Sequence, residues 1–453
     1  MKRLKGFNPY SWLPDRSVPL TFFSHDRYYP SEIGAFLLSS YEVNLLNEKE
    51  QIPFSDTETD YDYRKWGFSS YVAGAQYSRL LHEVAVAKTA RDLAKKFGFN
   101  SMLSEVGGLG HDVGHTSIAH YDRDFVDHHE ISERVIEGLD PIADGTGFAE
   151  KTFGEHVEYG PYRFKDVLDE FHVSTEDAKK SLKLPTVETA DDLCYMVMDS
   201  TISGWGAVMP VNFLFRNLRK WENSLYFSDD MILINFYLMN HAELTRRYYN
   251  ANGPRSKSAF LRRFIEALAE EFKTSPKTIA ELTWNNSLCC FLHKFRDVWT
   301  KSIESNIGMD YEKIESTFLF SPYRGVMIYR LSRKSAGDIL DIKSLKNYHK
   351  RKELEKILSE KAGLPIVIDT TPIAKPKEFK VLAGKELVDV YNLYPELLNL
   401  KQANLELDDL RVFAYTDPPV SEYSSNERER EEVRKITKTC EDLFGKTNEP
   451  INV

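Results

Sequence analysis

Apolar positions recur with helical spacing along most of the first three quarters of the chain. From His82, the residues Val86, Ala90, Leu93 and Phe97 follow at steps of four, four, three and four, which is one ridge of a helix. Similar spacing predicts helices over 131–139, 186–200, 258–272 and 279–304. Gly107, Gly108, Gly110 and Gly114 interrupt the segment between the first two, so a helix there must end or bend at about His111. Near Gly363 the pattern changes. Residues 364–368, 379–382 and 410–415 read as short strands separated by proline-containing turns, and the charged 424–434 opens a last helix or a tail. No repeat at a fixed period is visible. The expectation is a mainly α protein, a helical bundle with a small C-terminal α+β appendage. Its parts are an N-terminal segment packing on the core (1–60), the helical body (61–345), and the appendage with its tail (346–453).

Composition changes this picture little. At 453 residues, with 42% hydrophobic and 28% charged positions, the chain can bury a sizeable core. The net charge of -10 lacks the basic footprint of a dedicated nucleic-acid binder, although an acidic enzyme can still concentrate cations and metal in one cleft. Cys194, Cys289, Cys290 and Cys440 have no CxxC spacing and read as reduced thiols. No run approaches the roughly 20 apolar residues of a membrane span, so the expected setting is cytoplasmic.

The histidines carry the chemistry. Six of the 12 (His82, His111, His115, His120, His128 and His129) fall between positions 82 and 129. Imidazole nitrogens with carboxylates suit Zn, Mn, Fe, Co or Ni. His82 shares its ridge with apolar residues, so its ring faces the interior, as a core histidine or as a ligand. His111 and Asp112 are adjacent at the expected helix end. Both can reach one ion while the glycines let substrate approach the backbone, or Asp112 caps the next segment. Asp191, Tyr195 and Asp199 lie at i, i+4 and i+8 on one face, with Leu193, Met196 and Val197 opposite.

The order of these residues resembles a known family. Arg79-Leu80-Leu81-His82 comes first, then Gly110-His111-Asp112-Val113-Gly114-His115-Thr116-Ser117-Ile118-Ala119-His120. His129-Glu130 and Ala190-Asp191-Asp192-Leu193-Cys194-Tyr195 complete the series. Together they resemble the HD superfamily, and within it the deoxynucleoside triphosphate triphosphohydrolase branch that includes bacterial dGTPases and the vertebrate SAM-and-HD-domain enzyme. The resemblance implies an HD-domain helical bundle and metal-dependent hydrolysis of dNTPs to deoxynucleoside plus inorganic triphosphate, by attack of metal-activated water at the α-phosphorus. His82, His111, Asp112 and Asp191 would hold one divalent metal (Mn, Fe, Zn, Co or Ni), with an additional Mg on the triphosphate. His120 would be the general acid, supported by His129 and Glu130. Arg79 and His115 would contact the phosphates, and Tyr195 and Asp199 would line the site near the sugar. Glu130 has a simpler role open to it, closing a capping box with Asp127, and His128 reads as the surface member of its pair.

Two departures from the branch stand out. Arg123, between Asp122 and Asp124, occupies a position where the branch carries an acid, and the sugar-reading glutamine is replaced near Lys65. Competing readings share the quartet: another HD phosphohydrolase (a nucleotidase, or a cyclic-nucleotide or alarmone hydrolase), or a nucleotide-binding sensor with an idle site. The resemblance further implies a homo-oligomer, a tetramer or hexamer, and a nucleotide or single-stranded DNA effector. Base preference is not written in any motif.

Overall fold

The computed structural model describes residues 18–19, 27–49, 78–117, 125–142, 151, 162–203, 211–245, 252–285, 288–296, 300–312, 314, 325–332, 345, 347–370, 379–399, 409–415 and 427–444. Its centre is the helix Arg79–Phe97, which packs on Ser101–Gly110 along one side and Pro185–Ser203 along another. The predicted ridge points inward, with His82, Val86, Ala90 and Leu93 all buried. Gly98, at φ 73°, ends this helix in the left-handed conformation that glycine tolerates, and Asn100 caps the next by accepting from Met102 N and Leu103 N. The chain therefore doubles back within three residues, and the two helices run side by side.

Their close approach depends on Gly108. A Cβ built there would lie 2.5 Å from Ala87 Cα and 2.9 Å from Ala87 N, both backbone atoms that no rotamer change can move. Gly108→Ala gains up to ~1 kcal/mol of helix propensity but overpacks the helix contact at a cost of about 1–3 kcal/mol. The clash should win, and urea denaturation should show a net loss of stability. A variant as stable as the parent would contradict this packing.

The N-terminal segment lies against the same helices. The helices Glu32–Leu38 and Tyr41–Leu45 bury Ile33, Leu37, Leu38 and Val43 in the main core. Buried Glu105 fastens them, accepting from Tyr28 Oη at 2.5 Å, Ser31 N at 3.0 Å and Arg91 Nη1 at 2.8 Å. All three donors converge on one carboxylate oxygen, Oε1.

Beyond the central helices, the stretch 279–304 read as one helix is divided into Pro276–Glu281, Leu288–Arg296 and Lys301–Ile307. Ser275 and Thr300 cap the first and third, each accepting a backbone N–H, which makes them starts rather than continuations. Buried Trp284, in the turn after the first, donates Nε1–H to Val113 O at 2.8 Å and so braces the loop that follows His111.

Strands β1 (Val18–Pro19) and β2 (Arg27–Tyr28) form a small antiparallel pair. A second sheet has the order β3-β4-β7-β8, from β3 (Leu218–Trp221), β4 (Ser224–Ser228), β7 (Lys380–Ala383) and β8 (Glu386–Asp389). A third has the order β5-β9-β6, from β5 (Gly325–Ser332), β6 (Ile366–Asp369) and β9 (Asp409–Tyr415). Both larger sheets combine strands from before and after residue 346: β4 pairs in parallel with β7, and β5 pairs with β9. The α+β region is thus hydrogen-bonded into the helical body. Buried ion pairs add to the join, Arg255 with Asp369 at 2.5 Å and Arg263 with Glu355 at 3.4 Å. Helix Tyr348–Ala362 and the final helix Glu427–Phe444 cover the third sheet around Leu358, Ile368, Leu410, Val412 and Cys440. The architecture is mainly α with small sheets. No described helix is long and apolar enough to cross a membrane.

Candidate metal centre

The centre forms where three helices meet. Arg79, His82 and Glu83 come from the first two turns of Arg79–Phe97, and all three are buried. His111 and Asp112 begin the loop after Ser101–Gly110, and Asp191 comes from Pro185–Ser203. His82 Nε2 lies 2.9 Å from Asp191 Oδ1, and His111 Nε2 lies 3.7 Å from both Asp191 Oδ1 and Asp112 Oδ1. One ligand atom each from His82, His111 and Asp112 fits within a 4.8 Å span.

The orientation of His111 is set by its other nitrogen. Nδ1 lies 3.0 Å from Gly108 O and 2.9 Å from Glu83 Oε2, two acceptors that fix the ring proton there. In the neutral ring Nε2 then carries the lone pair toward the carboxylates, buried and without a hydrogen-bond partner among the described residues. A buried imidazole nitrogen facing two carboxylates is what a divalent cation satisfies, so the donor set fits a metal. Glu83 also accepts from Asp112 N at 3.0 Å, so one buried carboxylate holds both residues of the His-Asp pair.

Charges around the centre are strongly coupled. Burial by itself would lower the pKa of His111, but the Glu83 and Asp112 carboxylates hold it well above the ordinary histidine value. Burial would raise Asp112, yet His115, His111 and Arg79 keep it well below the usual carboxylate range. Burial would likewise raise Asp191, which His111 and His82 hold down. Burial and the nearby Arg79 push His115 well below its ordinary value, and burial first of all brings His128 to about 4.

A cluster of basic side chains adjoins the ligands. Arg79 Nη1 is 2.5 Å from Asp112 Oδ2, and His115 Nε2 is 3.2 Å from Asp112 Oδ1. Lys49, not singled out from the sequence, ties this cluster together. Its carbonyl accepts from Arg79 N at 2.9 Å, and its buried Nζ donates to His115 O at 2.6 Å while lying 5.1 Å from the Trp284 ring centroid. On the next turns of the Asp191 helix, Tyr195 is half-buried and edge-on to His241, and Asp199 is fully buried. That face therefore runs inward from part-exposed Asp191 to Asp199, and the opposite face with Leu193, Met196 and Val197 is interior.

Three expectations change. The glycines do not open the backbone to substrate. A Cβ on Gly107 would meet Ser181 O at 2.3 Å, and one on Gly114 would meet His128 O at 2.0 Å, so the missing side chains admit other protein backbone. The assignment within the 128–129 pair is reversed: His128 is the inner residue, its Nε2 3.8 Å from Asp112 Oδ1, and His129 is exposed. Glu130 is exposed too and pairs with Lys277 at 3.1 Å, while Asp127 caps the helix His128–Glu137 by accepting from His129 N. His120, Lys65, Asp122, Arg123 and Asp124 lie outside the described residues.

Comparison with known proteins agrees with this geometry. The HD domain family model matches residues 79–191. A deoxyguanosinetriphosphate triphosphohydrolase-like protein of Ruegeria sp. (strain TM1040) is 23% identical over 301 residues, spanning 60% of this chain and 70% of that protein. One of the same name from Leptospira interrogans is 23% identical over 37% of this chain and 46% of its own length. Another, from Azoarcus sp. (strain BH72), is 31% identical over 22% of this chain and 24% of its own. The crystal structure of a hypothetical protein from Aquifex aeolicus shares the fold, with a TM-score of 0.54 at 17% identity over 93% of this chain and 98% of that one. The stretch that brings His82, His111, Asp112 and Asp191 to one point is also the stretch that matches the HD domain family.

Proposed function

We propose that this protein hydrolyses deoxynucleoside triphosphates to deoxynucleoside and inorganic triphosphate, at a centre where His82, His111, Asp112 and Asp191 hold one divalent cation. The observation that carries this reading is the double use of Asp112. Its Oδ2 binds the Arg79 guanidinium and its Oδ1 faces His115, so the cation-binding carboxylate and a phosphate-binding wall form one rigid unit. The names of the matched relatives support the substrate class. A divalent ion bound there supplies Lewis acidity, lowering the pKa of water and polarising a phosphoryl oxygen.

The chain's own residues supply the rest. Arg79 places a permanent positive charge beside the position of the phosphates, and Lys49 holds the backbones of Arg79 and His115 in fixed relation. Tyr195 and Asp199 continue the wall away from the cation, toward the sugar. The departing 5′ oxygen is a poor leaving group and needs a proton, for which His120 is the candidate.

The test is a panel of dNTPs and NTPs incubated with metal-loaded protein, with the products identified. Inorganic triphosphate and deoxynucleoside are expected from at least one dNTP. Pyrophosphate or orthophosphate as the released fragment would assign the site to a different hydrolysis, and no turnover of any dNTP would remove the reading.

A further inference from the structure

We propose that His128, and not its neighbour His129, is the imidazole that contacts the phosphoryl groups of an anionic substrate beside the metal centre. This rests on the reading of the site as one for phosphoryl compounds, and it assigns a residue that the sequence order places on the surface.

The geometry begins with the backbone. His128 opens the helix His128–Glu137, and the loop after His111 sits directly on that first turn because Gly114 has no side chain. Gly114 N donates to Ser132 Oγ at 2.9 Å, and Ser132 Oγ donates to His111 O at 3.1 Å, which locks loop and helix together. The His128 ring is thereby laid on the His115 ring, with centroids 3.8 Å apart and planes 15° from parallel. Both Nε2 atoms face the same oxygen, Asp112 Oδ1, at 3.2 Å from His115 and 3.8 Å from His128. The His128 side chain keeps 19% of its surface exposed, so a ligand can reach its edge.

Two histidines and an aspartate this close invite a second reading as a metal site. The stack argues against it. A cation bound by two imidazoles through their lone pairs must lie in the plane of each ring, and two nearly parallel planes 3.8 Å apart share no such point nearby. A ring whose edge is part-exposed can instead offer an N–H to an oxygen of an anion, with the buried His115 ring stacked against it. Arg79, on the far oxygen of Asp112, and the positive end of the helix behind His128 make the same space attractive to negative charge. His129 lacks the approach to Asp112 and the stack on His115. It is exposed, and the helix turns its following residue, Glu130, toward Lys277.

The experiment measures binding of inorganic triphosphate to metal-loaded protein by calorimetry, for wild type, His128→Ala, His128→Gln and His129→Ala. Bound metal, melting temperature and dNTP turnover are recorded in parallel. The expected result is at least a tenfold loss of triphosphate affinity in His128→Ala with metal content unchanged, partial recovery in His128→Gln, which keeps an N–H donor, and less than a twofold change in His129→Ala. Wild-type affinity in His128→Ala, a loss located in His129→Ala, or a glutamine variant no better than alanine would each overturn the proposal, as would absence of triphosphate binding to the wild type. The two readings separate. A His128-dependent triphosphate affinity without dNTP turnover keeps this inference and removes the proposed reaction, and the converse pattern does the opposite.

Discussion

Asp112→Ala should abolish metal binding and turnover and also lower the stability of the metal-free protein by about 3–5 kcal/mol, the usual cost of breaking a buried ion pair. The second effect follows from the Arg79 contact. Arg79 is fully buried, and its Nη1 lies 2.5 Å from Asp112 Oδ2. Removing the carboxylate takes a negative partner from a buried guanidinium that cannot shed its proton. Asp191→Ala makes the contrast. Its side chain is 43% exposed, so its loss should empty the site at a smaller cost in stability, that of taking a partner from His82 Nε2. A further variant isolates the cause: adding Arg79→Met to Asp112→Ala should recover most of the lost stability and none of the metal. Urea denaturation in the presence of chelator, with metal content measured separately, reads both quantities. An Asp112→Ala protein with wild-type turnover would refute the metal assignment, and one as stable as Asp191→Ala would refute the role given to Arg79.

That coupling was not visible in the sequence, although much of the centre was. The inward face of His82 could be read because its helical step to Val86, Ala90 and Leu93 ties it to residues that must be buried. The end of the helix before His111 could be read from the glycines, and Asp191 from its place in the motif series. What those glycines touch could not be read. Gly108 and Gly114 serve contacts with Ala87 and with the turn at His128, and a contact between distant segments leaves no local mark. The choice between His128 and His129 fails for the same reason, since the Asp127 cap and the Gly114 contact orient that turn.

Strands show a similar division. Those predicted after Gly363 are found within two residues as β6, β7 and β9. The hairpin of β3 and β4 was missed because its turn places Glu222 at φ 52°, where glycine, asparagine or aspartate would have been the signal. The parallel pairing of β4 with β7 joins residues more than 150 positions apart, beyond the reach of any local pattern.

Glu83 is the residue whose importance the sequence hid most completely, since it reads as one more charged position next to His82. Its two oxygens have separate duties: Oε1 accepts from Asp112 N at 3.0 Å, and Oε2 lies 2.9 Å from His111 Nδ1. Burial lifts the carboxyl above its usual range, and the proximity of His111 draws it back. Glu83→Gln keeps the shape and removes this symmetry, because an amide has one accepting oxygen and one donating nitrogen. Turned one way, it sets an N–H against the Nδ1–H of His111; turned the other, against the amide of Asp112. If His111 instead moved its proton to Nε2 to accept from the glutamine, the nitrogen facing Asp112 and Asp191 would no longer offer a lone pair. Every arrangement therefore weakens the metal site. The expected result is a loss of metal affinity of about 10–100-fold, the range for residues that orient ligands, with about 1–3 kcal/mol of stability lost to the unmatched buried donor. Metal titration and thermal melting of Glu83→Gln measure these directly. Full metal affinity in this nearly isosteric variant would show that Glu83 fills space without orienting the His-Asp pair.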